Sequence, residues 1–277
     1  MLASANAMFT CINNTSQLPA PMRIRIPSLR LFGAAGLTLA SVASGPDLSA
    51  AAVDLQNATA TFSQTYYGDF SPGRSIDGDS GGDFGWAIYD GNEFAGTTSA
   101  QTAVFETVSD VGTAGGSQVE FTLQFNLWWN PAHQLGSFRL SATTDSRSTF
   151  ADGLATGGDV TANWTVLTVT SLGSLGGTSL TLNPDGSILA SNPNPTTDTY
   201  TVRTQTGLVG ITGFRLEALE SASLPTWGPG MQPQNGNFVL SDFSVSITAV
   251  PEPPGTLLAS GLLAGAAWVL VRHHRRS

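Results

Sequence analysis

Residues 118–127 alternate without a break: Val119, Phe121, Leu123, Phe125 and Leu127 fall on one side, and Glu120, Thr122, Gln124 and Asn126 on the other. Successive side chains of an extended strand point to opposite faces, so this pattern buries one face of a strand; wound as a helix, it would scatter its apolar groups around the axis. Period-two segments recur over 102–108, 137–143, 159–169, 199–206, 211–219 and 238–247. Glycine pairs at 81–82, 115–116, 157–158 and 176–177 punctuate them. The run Asn183-Pro184-Asp185-Gly186 suits a tight hairpin between 179–182 and 187–190. Nowhere between 53 and 249 does an apolar stripe hold helical spacing for three turns. The pattern predicts an all-β body over 53–249, an antiparallel β-sandwich or jelly roll.

Both flanks of that body read differently. Arg23, Arg25 and Arg30 precede an apolar run over 31–42, followed by small residues at Ala43, Ser44, Ser49, Ala50 and Ala51. A basic start, an apolar centre and a small-residue cleavage region form a secretory signal helix over 22–51. Met22 is then the expected start, residues 1–21 an extension, and the mature chain begins near Ala52. At the other end, residues 257–271 carry no charge, and with Gly255 and Thr256 the run reaches seventeen positions. That is about the least that crosses a bilayer as a helix. Arginines at 272, 275 and 276 follow it, which keeps that end cytoplasmic and puts the body outside.

The tail over 250–277 resembles the PEP-CTERM sorting signal on Pro251, Glu252 and Pro253, the transmembrane helix over 257–271, and the basic end Arg272, Arg275 and Arg276. Pro254 and Gly255 stand where many members have Ser or Thr. The resemblance implies export, with signal peptidase and an exosortase as partners. It also implies a membrane anchor before processing, and a final place at the cell surface or in the extracellular matrix.

Charge narrows the partners. Residues 53–249 hold five arginines against eighteen acidic residues, a net −13, and the chain contains no lysine. Such a surface repels phosphate backbones, which argues against nucleic acid. The one cysteine, Cys11, precedes the expected start, so no disulfide supports the body. A core of 197 residues is large enough to do so alone.

A second, weaker resemblance spans most of the body. Ser75-Ile76-Asp77-Gly78-Asp79 with Gly85-Trp86-Ala87-Ile88, and later 235–245, are similar to galactose-binding-like (discoidin type) jelly rolls, with 135–145 and 211–219 as inner strands. The resemblance implies that the first and last strands meet, and that the Asp-Gly-Asp loop lies beside the closing strand. It implies a structural calcium there, with Asp77, Asp79 and Asp242 as candidate ligands and Asp83 as a further one. The twelfth position counted from Asp79 is Asp90, not the Glu of an EF-hand loop. The plain alternative is a turn in which Asp and Gly accept left-handed backbone.

Carbohydrate recognition, the usual role of that fold, lays sugar C–H faces on exposed aromatic rings. Candidate platforms are Tyr66–Tyr67, with Tyr67 foremost, Trp128–Trp129 with His133, and Trp227, and among the tryptophans Trp129 and Trp227 are the ones nominated as ligand-binding. Trp86 and Trp164 read as core, and Trp128 as continuing the inward face from Leu127 or flanking it. His133 is the only histidine between 53 and 249, so no zinc cluster forms, and any Ser-His-Asp triad must use it. No nucleophile elbow or phosphate-cradling loop is present. The expectation is therefore a non-enzymatic, exported binding module for polysaccharide. The alternatives are an extracellular polysaccharide hydrolase and a coat protein without a ligand.

Overall fold

The computed structural model describes residues 49–81, 84–92, 95–130, 132–192 and 196–251. The signal segment up to residue 48 and the tail from Glu252 onward, including Pro253, the helix over 257–271, Arg272, Arg275 and Arg276, lie outside the described residues, as does Asp83. Among the described residues no helix is long and apolar enough to cross a membrane.

Two antiparallel sheets make the body. The first runs β1 (Ala51–Val53), β16 (Asp242–Ala249), β7 (Ser117–Phe125), β13 (Asp198–Thr206) and β10 (Thr168–Ser174) in spatial order. The second runs β11 (Ser179–Leu182), β12 (Ile188–Ser191), β8 (Ser137–Thr143), β14 (Ile211–Ala218), β6 (Gln101–Val111) and β2 (Leu55–Ala60), with β9 (Thr165–Val166) beside β8. Two short ribbons complete the set. One pairs β3 (Trp86–Ala87) with β15 (Val239–Leu240), and the other pairs β4 (Asp90–Gly91) with β5 (Gly96–Thr97).

The alternation in the sequence becomes the contact between sheets. On β7, Val119, Phe121, Leu123 and Phe125 are buried, while the residues between them keep solvent contact. Phe121 meets Phe214 of the second sheet edge-to-face at 5.3 Å, and Phe243 stacks on Phe105 at 4.3 Å. These cross-sheet aromatic pairs, with Tyr200 and Phe138 nearby at 6.2 Å, join the layers into one apolar core. Removing such rings from water stabilises the fold by about 1.5–3 kcal/mol each. The 183–186 turn closes as expected: Leu182 pairs with Ile188, and Gly186 takes φ +81°, a conformation that favours glycine.

The first and last strands meet, since β1 pairs with β16 through Ala51↔Ile247 and Val53↔Val245. Strand pairing thus begins at Ala51, two residues before the start expected for the body. Both ends of the sandwich therefore leave from one edge. Val250 donates to the Gly116 carbonyl at 3.0 Å, and Pro251 is exposed just beyond.

Two expectations are corrected. The segment 159–164 is not strand; Asp159 accepts the Thr161 amide in a turn, and Trp164 swings onto the outside of the second sheet. There it meets Phe150 at 5.3 Å and the Arg215 guanidinium at 5.4 Å, so it packs outside the core. Gly213 makes room for this cover, because a Cβ there would come 2.5 Å from the Phe150 ring. Trp128 flanks the inward face rather than continuing it, at 68% exposure: Leu127 already takes the inward position, and the next residue points out.

Candidate functional site

Strand pairing ends at Phe125 on β7, opposite Asp198, and β16 starts at Asp242 opposite Gln124. Past that end of the sheet four loops converge: 64–70, 89–92, 127–133 and 235–239. They enclose a groove of about 370 Å³. Its floor is Phe70, Leu127 and Val239, which pack with Ala87 as a small apolar cluster apart from the main core. Tyr66, Tyr67, Tyr89 and Trp129 supply aromatic walls, and Asn92, Asn130, Asn235 and His133 supply polar ones. Among the lining residues none is Asp, Glu, Lys or Arg.

Two of the three nominated platforms come together here. The rings of Tyr67 and Trp129 lie 5.5 Å apart at an interplanar angle of 46°, although the residues are separated by most of a sheet in the sequence. Tyr66 extends the row at 6.1 Å from Tyr67. Tyr67 is 69% exposed and Trp129 40%, so the pair presents ring surface to solvent while leaning on each other. Tyr67 does this from a left-handed backbone, φ +73°. A bulky residue held there costs on the order of 1 kcal/mol or more and persists only where its surroundings impose it.

The scaffold behind the rings is a chain of hydrogen bonds. The Gln64 amide nitrogen donates to the Tyr66 carbonyl at 2.9 Å, and Asn237 Nδ2 donates to Gln64 Oε1 at 3.0 Å. Asn237 Oδ1 in turn accepts the Ile88 amide at 3.0 Å. One buried asparagine therefore ties the Tyr66–Tyr67 loop to β3 and to the loop before β15. On the far wall His133 Nδ1 lies 2.8 Å from the Asn130 carbonyl oxygen. A carbonyl only accepts, so Nδ1 carries the proton. The His133 carbonyl takes the Val239 amide at 2.9 Å, so this histidine, buried at 6% exposure, props the loop that bears Trp129.

Trp227, the third nominated platform, is 68% exposed but does not line the groove. Tyr89, Asn92, Asn130 and Asn235 line it and were not nominated. Their only sequence signal is their place in Gly-, Pro- and Asn-rich loops.

The acidic loop does lie beside the closing strand. Asn126 Nδ2 donates to the Ser80 carbonyl at 3.0 Å, and the Asp77 carboxylate bears on Asp242 electrostatically. Burial, followed by the nearby Asp77 charge, pushes the Asp242 carboxyl above its usual range, against the Ser244 and Gln124 hydrogen bonds, which lower it. Yet the carboxylates are already engaged. Asp77 Oδ1 accepts the Asp79 amide at 2.9 Å, its Oδ2 pairs with Arg74 at 3.1 Å, and Asp79 Oδ1 accepts the Gly81 amide at 2.9 Å. Gly78 sits at φ +82° between them. These are the bonds of an Asp-Gly turn with itself. Among the described residues no group of three or more His, Cys, Asp or Glu side chains is placed to hold a metal. Asp77, Asp79 and Asp242 as they stand, with a guanidinium beside them, do not fit the six to eight oxygens that calcium takes.

No known family model matches this chain, and no curated protein matches it. Among solved structures, the carbohydrate-binding module CBM32-3 from a family 31 glycoside hydrolase of Clostridium perfringens is similar over 70% of this chain and 93% of that one. The identity is 12% and the TM-score 0.39.

Proposed function

We propose that the body is a non-catalytic carbohydrate-binding module of the galactose-binding-like jelly-roll kind, exported and sorted by a PEP-CTERM tail. The observation that carries the binding reading is the Tyr67–Trp129 pair, two exposed rings 5.5 Å apart at the mouth of a groove walled by uncharged amides. Sugar rings offer apolar C–H faces to such platforms and hydroxyls to Asn and Gln side chains, so one groove serves both. A strained Tyr67 supports the same reading, because αL backbone at an exposed aromatic is a cost that folding alone does not explain.

Against a hydrolase stands the lining itself. Glycoside hydrolysis uses two carboxyl groups flanking the scissile bond, and among the described lining residues there is none. A coat protein without a ligand would have no use for the converging rings. Export and sorting rest on the sequence of the two flanks, with exosortase and signal peptidase as the partners. The cell surface or extracellular matrix is the destination.

The experiment is a glycan array with the purified body, paired with a reducing-end release assay. Retention without product, lost in Trp129→Ala, is expected; product release would turn the reading to the hydrolase, and silence in both assays to the coat protein. Mass spectrometry of the mature termini tests the sorting. A product trimmed near Ala52 and near Pro251 is expected, and one that keeps both the 22–51 segment and Arg276 overturns it.

A further inference from the structure

Resting on the binding reading above, we infer that the ligand is an extended, uncharged polysaccharide chain that lies in the groove and continues onto Trp227 as a second, separate platform.

The groove alone holds little. At about 370 Å³ it stands at the small end of ligand sites, with about the room of one or two sugar rings. The backbone behind its Asn235 wall lies against the loop that bears Trp227. Thr226 and Trp227 both adopt left-handed backbone, at φ +51° and +64°, between Pro225 on one side and Gly228 and Pro229 on the other. Two consecutive non-glycine residues in that region, one of them β-branched, set a strained knuckle with an indole at its tip. The indole is 68% exposed, so burial does not account for the strain.

What fixes the knuckle is the groove wall. A Cβ at Gly236 would stand 2.7 Å from both the Pro225 carbonyl and Thr226 Oγ1, and 2.9 Å from the Gly228 Cα. A Cβ at Gly228 would overlap Thr98 Oγ1, whose hydroxyl donates to the Asn235 carbonyl at 2.7 Å. Gly230 donates to the Gly236 carbonyl at 2.7 Å. The two loops therefore touch backbone to backbone, with only the short Thr98 and Thr226 side chains beside the contact. Given the ~3.8 Å step between Cα atoms, Trp227 and Asn235 are at most about 12 Å apart. The step from the Asn235 wall of the groove to Trp227 is thus set by main chain. A ligand confined to the groove would never reach the indole.

Charge selects the class of polymer. The groove lining offers no cation to pair with a uronate or sulfate, and the body around it carries a net −13. Nor, among the described lining residues, is there a carboxylate for an amino sugar. Amides and aromatic faces suit neutral hexose chains.

Isothermal titration with neutral oligosaccharides of two to six residues, cut from β-glucan, galactan and mannan, tests this, with polygalacturonate as the anionic contrast. Affinity is expected to rise with length in one of the neutral series. Trp227→Ala should weaken the longest member about tenfold and leave the shortest bound member unchanged, while Trp227→Phe restores most of the loss. Equal affinity at every length, equal weakening of short and long members by Trp227→Ala, or tighter binding of polygalacturonate would each overturn the inference while leaving a binding module in place. If no neutral series binds, the inference falls together with the binding reading.

Discussion

The Tyr67–Trp129 groove and the Asp77–Asp79 loop sit at the same end of the sandwich, and both are built from loops rich in turn residues. They differ in what their functional groups have left to give. In the acidic loop each carboxylate is satisfied locally, by the amides of Asp79 and Gly81 and by Arg74. In the groove the hydrogen bonds lie behind the rings, through Gln64, Asn237 and His133, and the ring faces remain outward. A cluster of reactive-looking residues is a site only when its bonding capacity points away from itself.

The sharpest way to break the contrast is at the groove wall. A Cβ at Gly230 would overlap the Asn237 carbonyl, and Asn237 anchors the Gln64 loop. Gly230→Ala is expected to cost about 3 kcal/mol, as overpacking against backbone does. Thermal unfolding should show this as a fall in Tm of roughly 6–10 °C, and polysaccharide retention should fall with it. Next, Tyr67→Ala and Trp129→Ala should each weaken polysaccharide binding by about tenfold or more. Their midpoints should move little, because these rings are not in the core. Asp77→Asn and Asp79→Asn should leave binding unchanged on the glycan array; a loss there would move the site to the acidic loop.

Smaller is the effect expected at Asp242. Its carboxyl is raised above the usual value of 3.8 mainly by burial, so the native state holds that proton more readily than the unfolded chain does. The cost of the buried charge is present in full above the folded value. It is relieved as pH falls from there through 3.8. Asp242→Asn should therefore raise the unfolding midpoint at pH 7, with the gain fading as pH falls toward 3.8 and gone below it. Millimolar calcium should not shift the wild-type midpoint; a shift that Asp242→Asn abolishes would restore the metal reading. Smallest of all, Arg74→Ala should change stability by less than about 0.5 kcal/mol in denaturant titration, because the Arg74 pairs with Asp69 and Asp77 lie at the surface.

Alternation made several strands legible nearly to the residue: 137–143 is β8, and 118–125 falls within β7, with Leu127 buried two residues past its end. It misled at 159–164, where Trp164 keeps the period but covers the outside of a sheet. Period two says that a face is buried and is silent about which one. For the site, Tyr67, Trp129 and His133 were legible as separate aromatic and loop signals. Their convergence was not, because it depends on β7 and β16 ending together at Gln124↔Asp242, a pairing between residues far apart in the chain. The left-handed φ of Tyr67 was equally hidden, as no residue type announces it.

That same pairing has one more outcome. The ladder between β7 and β16 runs from Gln124↔Asp242 at the groove to Ser117↔Ala249, beside the points where the chain enters at Ala51 and leaves at Pro251. At ~3.4 Å per residue this is about 24 Å of rigid spacer. Whatever either chain end is joined to therefore stands a full strand length away from the rings.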